Sequence, residues 1–90
     1  MDLRKLEALV VAVELGSFTK AAQQLGYSQS GLTHMMNALE QEIGFPLLLR
    51  DHRGVRLTAQ GQQIYPTIQQ LLAVHRRLLH EISACTAEFT

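Results

Sequence analysis

The chain has no tryptophan, one cysteine and no excess of either charge, and the last two shortages exclude something. A lone Cys85 cannot close an intrachain disulfide, and it suits a reducing cytosol. Eight basic and eight acidic side chains cancel, so overall basicity gives no argument for a nucleic-acid partner; any such case rests on local distribution. No apolar run approaches the roughly 20 residues of a membrane span, so no membrane partner is expected. The opening Met-Asp-Leu-Arg-Lys-Leu mixes acid with base, unlike a secretory signal. His34, His52, His75 and His80 fall on different elements or helix faces and form no close His/Cys pair of structural-zinc type. Ser28 and Ser30 lack a nearby histidine–acid arrangement, and no glycine-rich phosphate loop is present. The expectation is a protein that is not an enzyme, with no metal and no cofactor.

What is present is helical punctuation. Ninety residues, 47% of them hydrophobic, suffice for one modest globular core but not for a deep active site. Leu3, Leu6, Val10 and Val13, with Leu9 beside them, predict a helix from about Asp2 to Leu15 that stops at Gly16. Ser17 can cap a second helix with Phe18, Ala21, Ala22 and Leu25 inward, ended by Gly26. Ser28 can cap a third, with Leu32, Met36, Leu39 and Ile43 inward and Met35 at the edge, before Gly44 and Pro46. The short Gly26-Tyr27-Ser28 connection makes the second and third helices a sharply turned pair, the helix-turn-helix. Leu47, Leu48 and Leu49, then Val55, Arg56 and Leu57 around the Arg53-Gly54 turn, predict a two-stranded hairpin, or wing.

Thr58 can cap a fourth helix, in which Ile64, Ile68, Leu71, His75, Leu78, Ile82, Cys85 and Phe89 recur at alternating spacings of four and three. Leu72 and Leu79 widen this stripe, and Pro66 removes one backbone donor. A helix this long outruns its small domain, so a second copy is expected along the seam, the alternative being a seam that folds back on its own domain. At His75, two facing imidazoles would bond when neutral and repel when protonated, unless the ring escapes sideways to water. Cys85 reads as a packed thiol, the alternative being an oxidised interchain bridge.

The segments "GSFTKAAQQL", "SQSGLTHMMNALEQEIGFPLLLR" and "RGVRLTAQGQ" resemble the N-terminal winged helix-turn-helix of LysR-type transcriptional regulators, over Leu3 to about Leu79. The resemblance implies a mainly α fold: a three-helix winged helix-turn-helix over residues 1–57 and a long linker and dimerisation helix over 58–90. It implies a bacterial, cytoplasmic, sequence-specific regulator that binds an interrupted inverted repeat in double-stranded promoter DNA as a homodimer, with higher oligomers open to a full-length protein. A C-terminal ligand-sensing domain, through which alone a small-molecule effector would act, is expected by resemblance and absent from this chain. The chain is expected to be a DNA-binding fragment or a natural short protein. It departs from many relatives at Ser30 and Gly31, where proline and alanine are usual, at His34, Met35 and Asn37, and at Leu48 in place of phenylalanine.

Major-groove reading needs short donors and acceptors on an exposed helix, held by flanking phosphate contacts. With Leu32 at the centre of the buried face, Ser30, Thr33, His34, Asn37 and Gln41 project outward, and Gln29 sits in the first turn. Gln29 and Asn37 can each pair bidentately with adenine, Thr33 can offer its methyl to thymine, and His34 can donate to guanine or phosphate. This face carries no lysine or arginine, which shifts the burden to Arg50, Arg53 and Arg56 of the wing, with His52 secondary and only Asp51 against them. Lys20, Ser28 and the first-turn amides of helices two and three are the expected phosphate contacts. The plain alternatives are a solvated helix face and surface solubility. The competing function is a winged-helix protein-interaction and dimerisation module without DNA binding.

Overall fold

In the computed structural model, which describes residues 1–89 apart from the Phe89 side chain, the chain runs α1 (Leu3–Leu15), α2 (Phe18–Leu25), α3 (Gln29–Ile43), β1 (Leu48–Asp51), β2 (Gly54–Leu57) and α4 (Ala59–Phe89). Caps set the boundaries. The side chains of Asp2, Ser17 and Ser28 accept from the amides of Lys5, Lys20 and Gly31, each filling one orphan donor of a first turn. Thr58 does the same for α4, its hydroxyl accepting from the Gly61 amide at 2.9 Å and donating to the Pro46 carbonyl at 2.7 Å. The first three helices end at Gly16, Gly26 and Gly44.

The core is one cluster with α1 at its centre. Leu6, Ala8, Leu9 and Ala12 of α1 meet Phe18, Ala21 and Ala22 of α2 and Leu32, Met36 and Leu39 of α3. Ala21 and Ala22 present no bulk, which lets the α2 backbone lie close against its neighbours. From the wing side come Leu47, fully buried just before β1, and Val55. Ile68 and Leu72 of α4 close the cluster against α1. Burying a side chain such as Leu9 or Leu39 contributes about 1.5–3 kcal/mol.

Three contacts fix the wing. The strands pair antiparallel, Leu48 with Leu57 and Asp51 with Gly54, leaving His52 and Arg53 as the connection. The Val55 amide donates to the Gly16 carbonyl at 3.2 Å, tying β2 to the end of α1. Gly54 has φ 109°, and a Cβ there would stand 2.5 Å from that same Gly16 oxygen, so only glycine fits. The Glu40 carboxylate on α3 accepts from the Leu47 amide and from the Leu48 amide, the latter at 3.0 Å, and so holds the strand entry.

Gly61 sits under the wing in the first turn of α4, where a Cβ would lie 2.6 Å from the Leu47 carbonyl oxygen. Gly61→Ala should therefore destabilise the domain by about 1–3 kcal/mol despite alanine's better helix propensity, because the neighbour is backbone and cannot swing aside. A thermal melt checks this; a raised melting temperature would contradict the close packing.

Carboxylates on the surface add a pH dependence. The Lys5 amide holds Asp2 below its ordinary value of 3.8. The Lys5 ammonium and then the N-terminal amine, 2.6 Å away, hold Glu42 below 4.5 and join α1 to the end of α3. Asp51 lies below 3.8, first through the Arg53 amide. A depressed folded value adds stability above the unfolded value and loses it as pH falls through the folded one. Melting temperature is expected to decline as the pH drops below 3.8–4.5, modestly because all three are solvent-exposed. A rise on acidification would show these pairs to be absent.

α4 runs unbroken through Pro66, whose missing amide leaves the Gln62 carbonyl without its in-helix partner. At about 1.5 Å per residue, its 31 residues span about 46 Å, which explains the 51 Å long axis of the chain. Among the described residues, no helix is long and apolar enough to cross a membrane.

The apolar seam of α4 divides in two, and here one expectation is corrected. Ile68 is only 7% exposed and belongs to the chain's own core, and Ile64 is half-buried against it. Ile68 and Leu72 lie on the part of α4 that packs against α1, whereas Leu79, on the same side of the helical wheel, stands farther along α4 and is exposed. The available face is Leu71, Val74, Leu78, Leu79 and Ile82, each 45–51% exposed, with His75 half-buried beside it. Val74 was not among the residues that the heptad picks out. Cys85 is a free thiol, exposed in the single chain as Leu78 and Ile82 are, and the expectation for the Phe89 side chain lies outside the described residues.

Candidate nucleic-acid interface

α3 exposes Gln29, Ser30, His34, Asn37 and Gln41, as its apolar stripe requires, while Thr33 is half-buried. Ser28 works first as the cap: its hydroxyl accepts from the Gly31 amide at 3.0 Å and lies 3.3 Å from the Ser30 hydroxyl. Gln29 is the best-braced member. Its Nε2 donates to Thr19 Oγ1 of α2 at 2.6 Å, across the turn between the helices. An amide nitrogen has two hydrogens, so one donor and the Oε1 acceptor remain, the pair that matches an adenine edge. Thr19 was not singled out in the sequence, because a contact between residues ten apart leaves no local pattern.

The wing arginines are disposed differently from one another. Arg53 stands at the tip, its side chain 63% exposed, as its place in the turn predicts. Arg50 does not stand out from the hairpin. Its guanidinium lies 3.9 Å above the Phe18 ring centroid, and its Nη1 donates to Thr33 Oγ1 at 3.1 Å. It therefore links wing to α3 over the edge of α2, and fixes the angle between the two candidate reading elements. Arg56 pairs with Asp51 at 2.8 Å, and Arg53 reaches the same carboxylate at 3.4 Å.

These elements enclose an open cleft of about 400 Å³. Its walls include the N-terminal turn of α2 at Ser17, Lys20, Gln29, Arg50 and Arg53. The cationic side chains and the amide end of α2 thus converge beside Gln29, a setting that favours a phosphate. Lys20 has no carboxylate within ion-pair distance among the described residues. The acids of α3 point elsewhere: Glu42 is engaged by Lys5 and the N-terminus, and Glu40 by the strand entry. Zero net charge thus conceals a local concentration, with Lys20, Arg50 and Arg53 gathered beside the start of α2 and of α3.

Comparison with known proteins adds a second line of support. Residues 3–62 match the sequence model of a family described as bacterial regulatory helix-turn-helix proteins of the lysR family. The chain is 37% identical over 83 residues to the probable HTH-type transcriptional regulator LrrA of Synechococcus elongatus, covering 92% of this chain and 28% of LrrA. It is 46% identical over 74 residues to the HTH-type transcriptional regulator BudR of Raoultella terrigena, covering 82% of this chain and 26% of BudR. The chain thus spans about a quarter of these curated relatives. Among solved structures, it is similar to the DNA-binding domain of BenM in complex with catB site 1 DNA, with TM-score 0.89 and 33% identity over 100% of this chain and 97% of that one. The DNA complex of the CbnR DNA-binding domain gives TM-score 0.85 and 34% identity over 96% and 99%.

Proposed function

The chain belongs to the LysR family of bacterial regulatory helix-turn-helix proteins, and on that premise we propose that it binds promoter DNA sequence-specifically as a homodimer, in a transcriptional regulator and not an enzyme. The observation that carries this reading is the braced Gln29 on an exposed α3 face, beside a cleft in which Lys20, Arg50 and Arg53 converge. Gln29, Ser30, His34 and Asn37 supply base-edge contacts, Thr33 a methyl at the margin, and Ser28, Lys20, Arg53 and Arg56 the backbone contacts. Residues 1–57 form the reading unit, and the linker helix follows as α4, whose root as far as Leu72 packs into the same core. Leu71, His75, Leu78 and Ile82 meet their symmetry mates. The duplex places this activity in the cytoplasm, and effector sensing falls to a domain outside these ninety residues.

Titration of a labelled promoter duplex at several salt concentrations tests this. Binding is expected to weaken with salt by a slope of roughly 0.9 per phosphate neutralised. Arg53→Ala should weaken it evenly across sequences and reduce the slope by about one. Undetectable binding at low salt would favour the protein-interaction module.

A further inference from the structure

We propose that Asp51 is an internal stand-in for a DNA phosphate, holding the wing arginines until a duplex displaces it and so restraining nonspecific binding. This rests on the reading of the chain as a DNA-binding domain and concerns a residue to which that reading assigns no part. Asp51 is the only acid between Glu42 and Glu81, yet it sits at the hairpin tip among the cations. One carboxylate oxygen accepts from the Arg53 amide at 2.8 Å, which shapes the turn. The other accepts from Arg56 Nη2 at 2.8 Å and Arg53 Nη2 at 3.4 Å. The two oxygens thus divide the work: one builds the turn, the other neutralises guanidinium.

The second contact has no structural necessity. Both arginine side chains are about half-exposed or more and the carboxylate is a third exposed, where ion pairs add little to stability. Register explains how they meet: Arg56 lies two positions beyond Gly54, which pairs with Asp51, so the contact is the cross-strand diagonal. Glycine at position 54 puts no side chain in the way. Asp51 also borders the cleft that holds Lys20, Arg50 and Arg53. An anion is therefore already seated where a phosphate would go, and a duplex must exchange for it. Such an exchange costs every sequence alike, and only one that also satisfies Gln29 and its neighbours on α3 recovers the loss.

The test is the affinity of the whole chain for a short labelled duplex of random sequence, measured against salt for wild type, Asp51→Asn and Asp51→Ser. Both replacements keep an oxygen able to accept from the Arg53 amide, so the turn survives while the charge is lost. Each is expected to tighten binding about five- to tenfold at 0.1 M salt and to steepen the salt slope by about one. The same changes in an Arg53→Ala/Arg56→Ala background should give little gain. A full-sized gain there would show general repulsion and overturn the proposal, as would equal or weaker binding by the single variants. No binding by wild type or any variant overturns the DNA reading itself, whereas wild-type binding unmoved by Asp51 overturns this proposal alone.

Discussion

Leu78→Asp is expected to leave the domain folded and to abolish its dimer. Leu78 is 51% exposed in the single chain, so aspartate there breaks no contact of the core. In a twofold assembly, the same substitution places two carboxylates against each other in an apolar seam, where neither finds a partner and both lose water. Sedimentation should shift from dimer to monomer with the thermal melt little changed. Affinity for a duplex bearing two half-sites should fall by on the order of a hundredfold, because the second half-site is then no longer bound intramolecularly. Ile82→Asp should behave alike; Ile68→Asp should instead unfold the domain, since Ile68 lies in the core. Wild type that sediments as a monomer at micromolar concentration would remove the seam from the account.

The second large effect concerns sequence discrimination. With Gln29 as the proposed bidentate reader, a contact worth about 1–3 kcal/mol, Gln29→Ala should lower preference for the best site over a one-base variant at that position by about 5- to 150-fold. The salt slope should stay as in wild type, because no phosphate contact is lost. Thr19→Val tests the bracing: it removes the Oγ1 that holds Nε2 without touching any base, and should give a partial loss at the same base pair. An unchanged preference in both variants would make α3's exposed face ordinary solvated surface.

Much of the fold is legible in the residues because its boundaries are local. Ser17, Ser28 and Thr58 start helices where their side chains can reach amides three positions on, and Gly16, Gly26 and Gly44 stop them. The wing is readable from Val55-Arg56-Leu57 and the glycine at its turn. The outward set on α3 follows from Leu32, Met36 and Leu39, since one buried stripe fixes the opposite face, except at Thr33, which Arg50 of the wing half-covers. What could not be read is tertiary. Ile68 shares the heptad rhythm with Leu71 and Leu78, and only the position of α1 decides that it turns inward. Arg50 has the appearance of any wing cation until Phe18 and Thr33 are beside it. Glu40 looks like a surface acid in the sequence, yet it holds the two amides that enter β1.

The central claim is a twofold pair of reading faces on α3 that carry no lysine or arginine, each flanked by an arginine-bearing wing. Selection of tight binders from a pool of random duplexes tests it most directly. The account predicts enrichment of an interrupted inverted repeat, whose half-sites lose definition at one base pair when Gln29 is alanine. Enrichment of single, unpaired half-sites, or no enrichment at low salt, would contradict it.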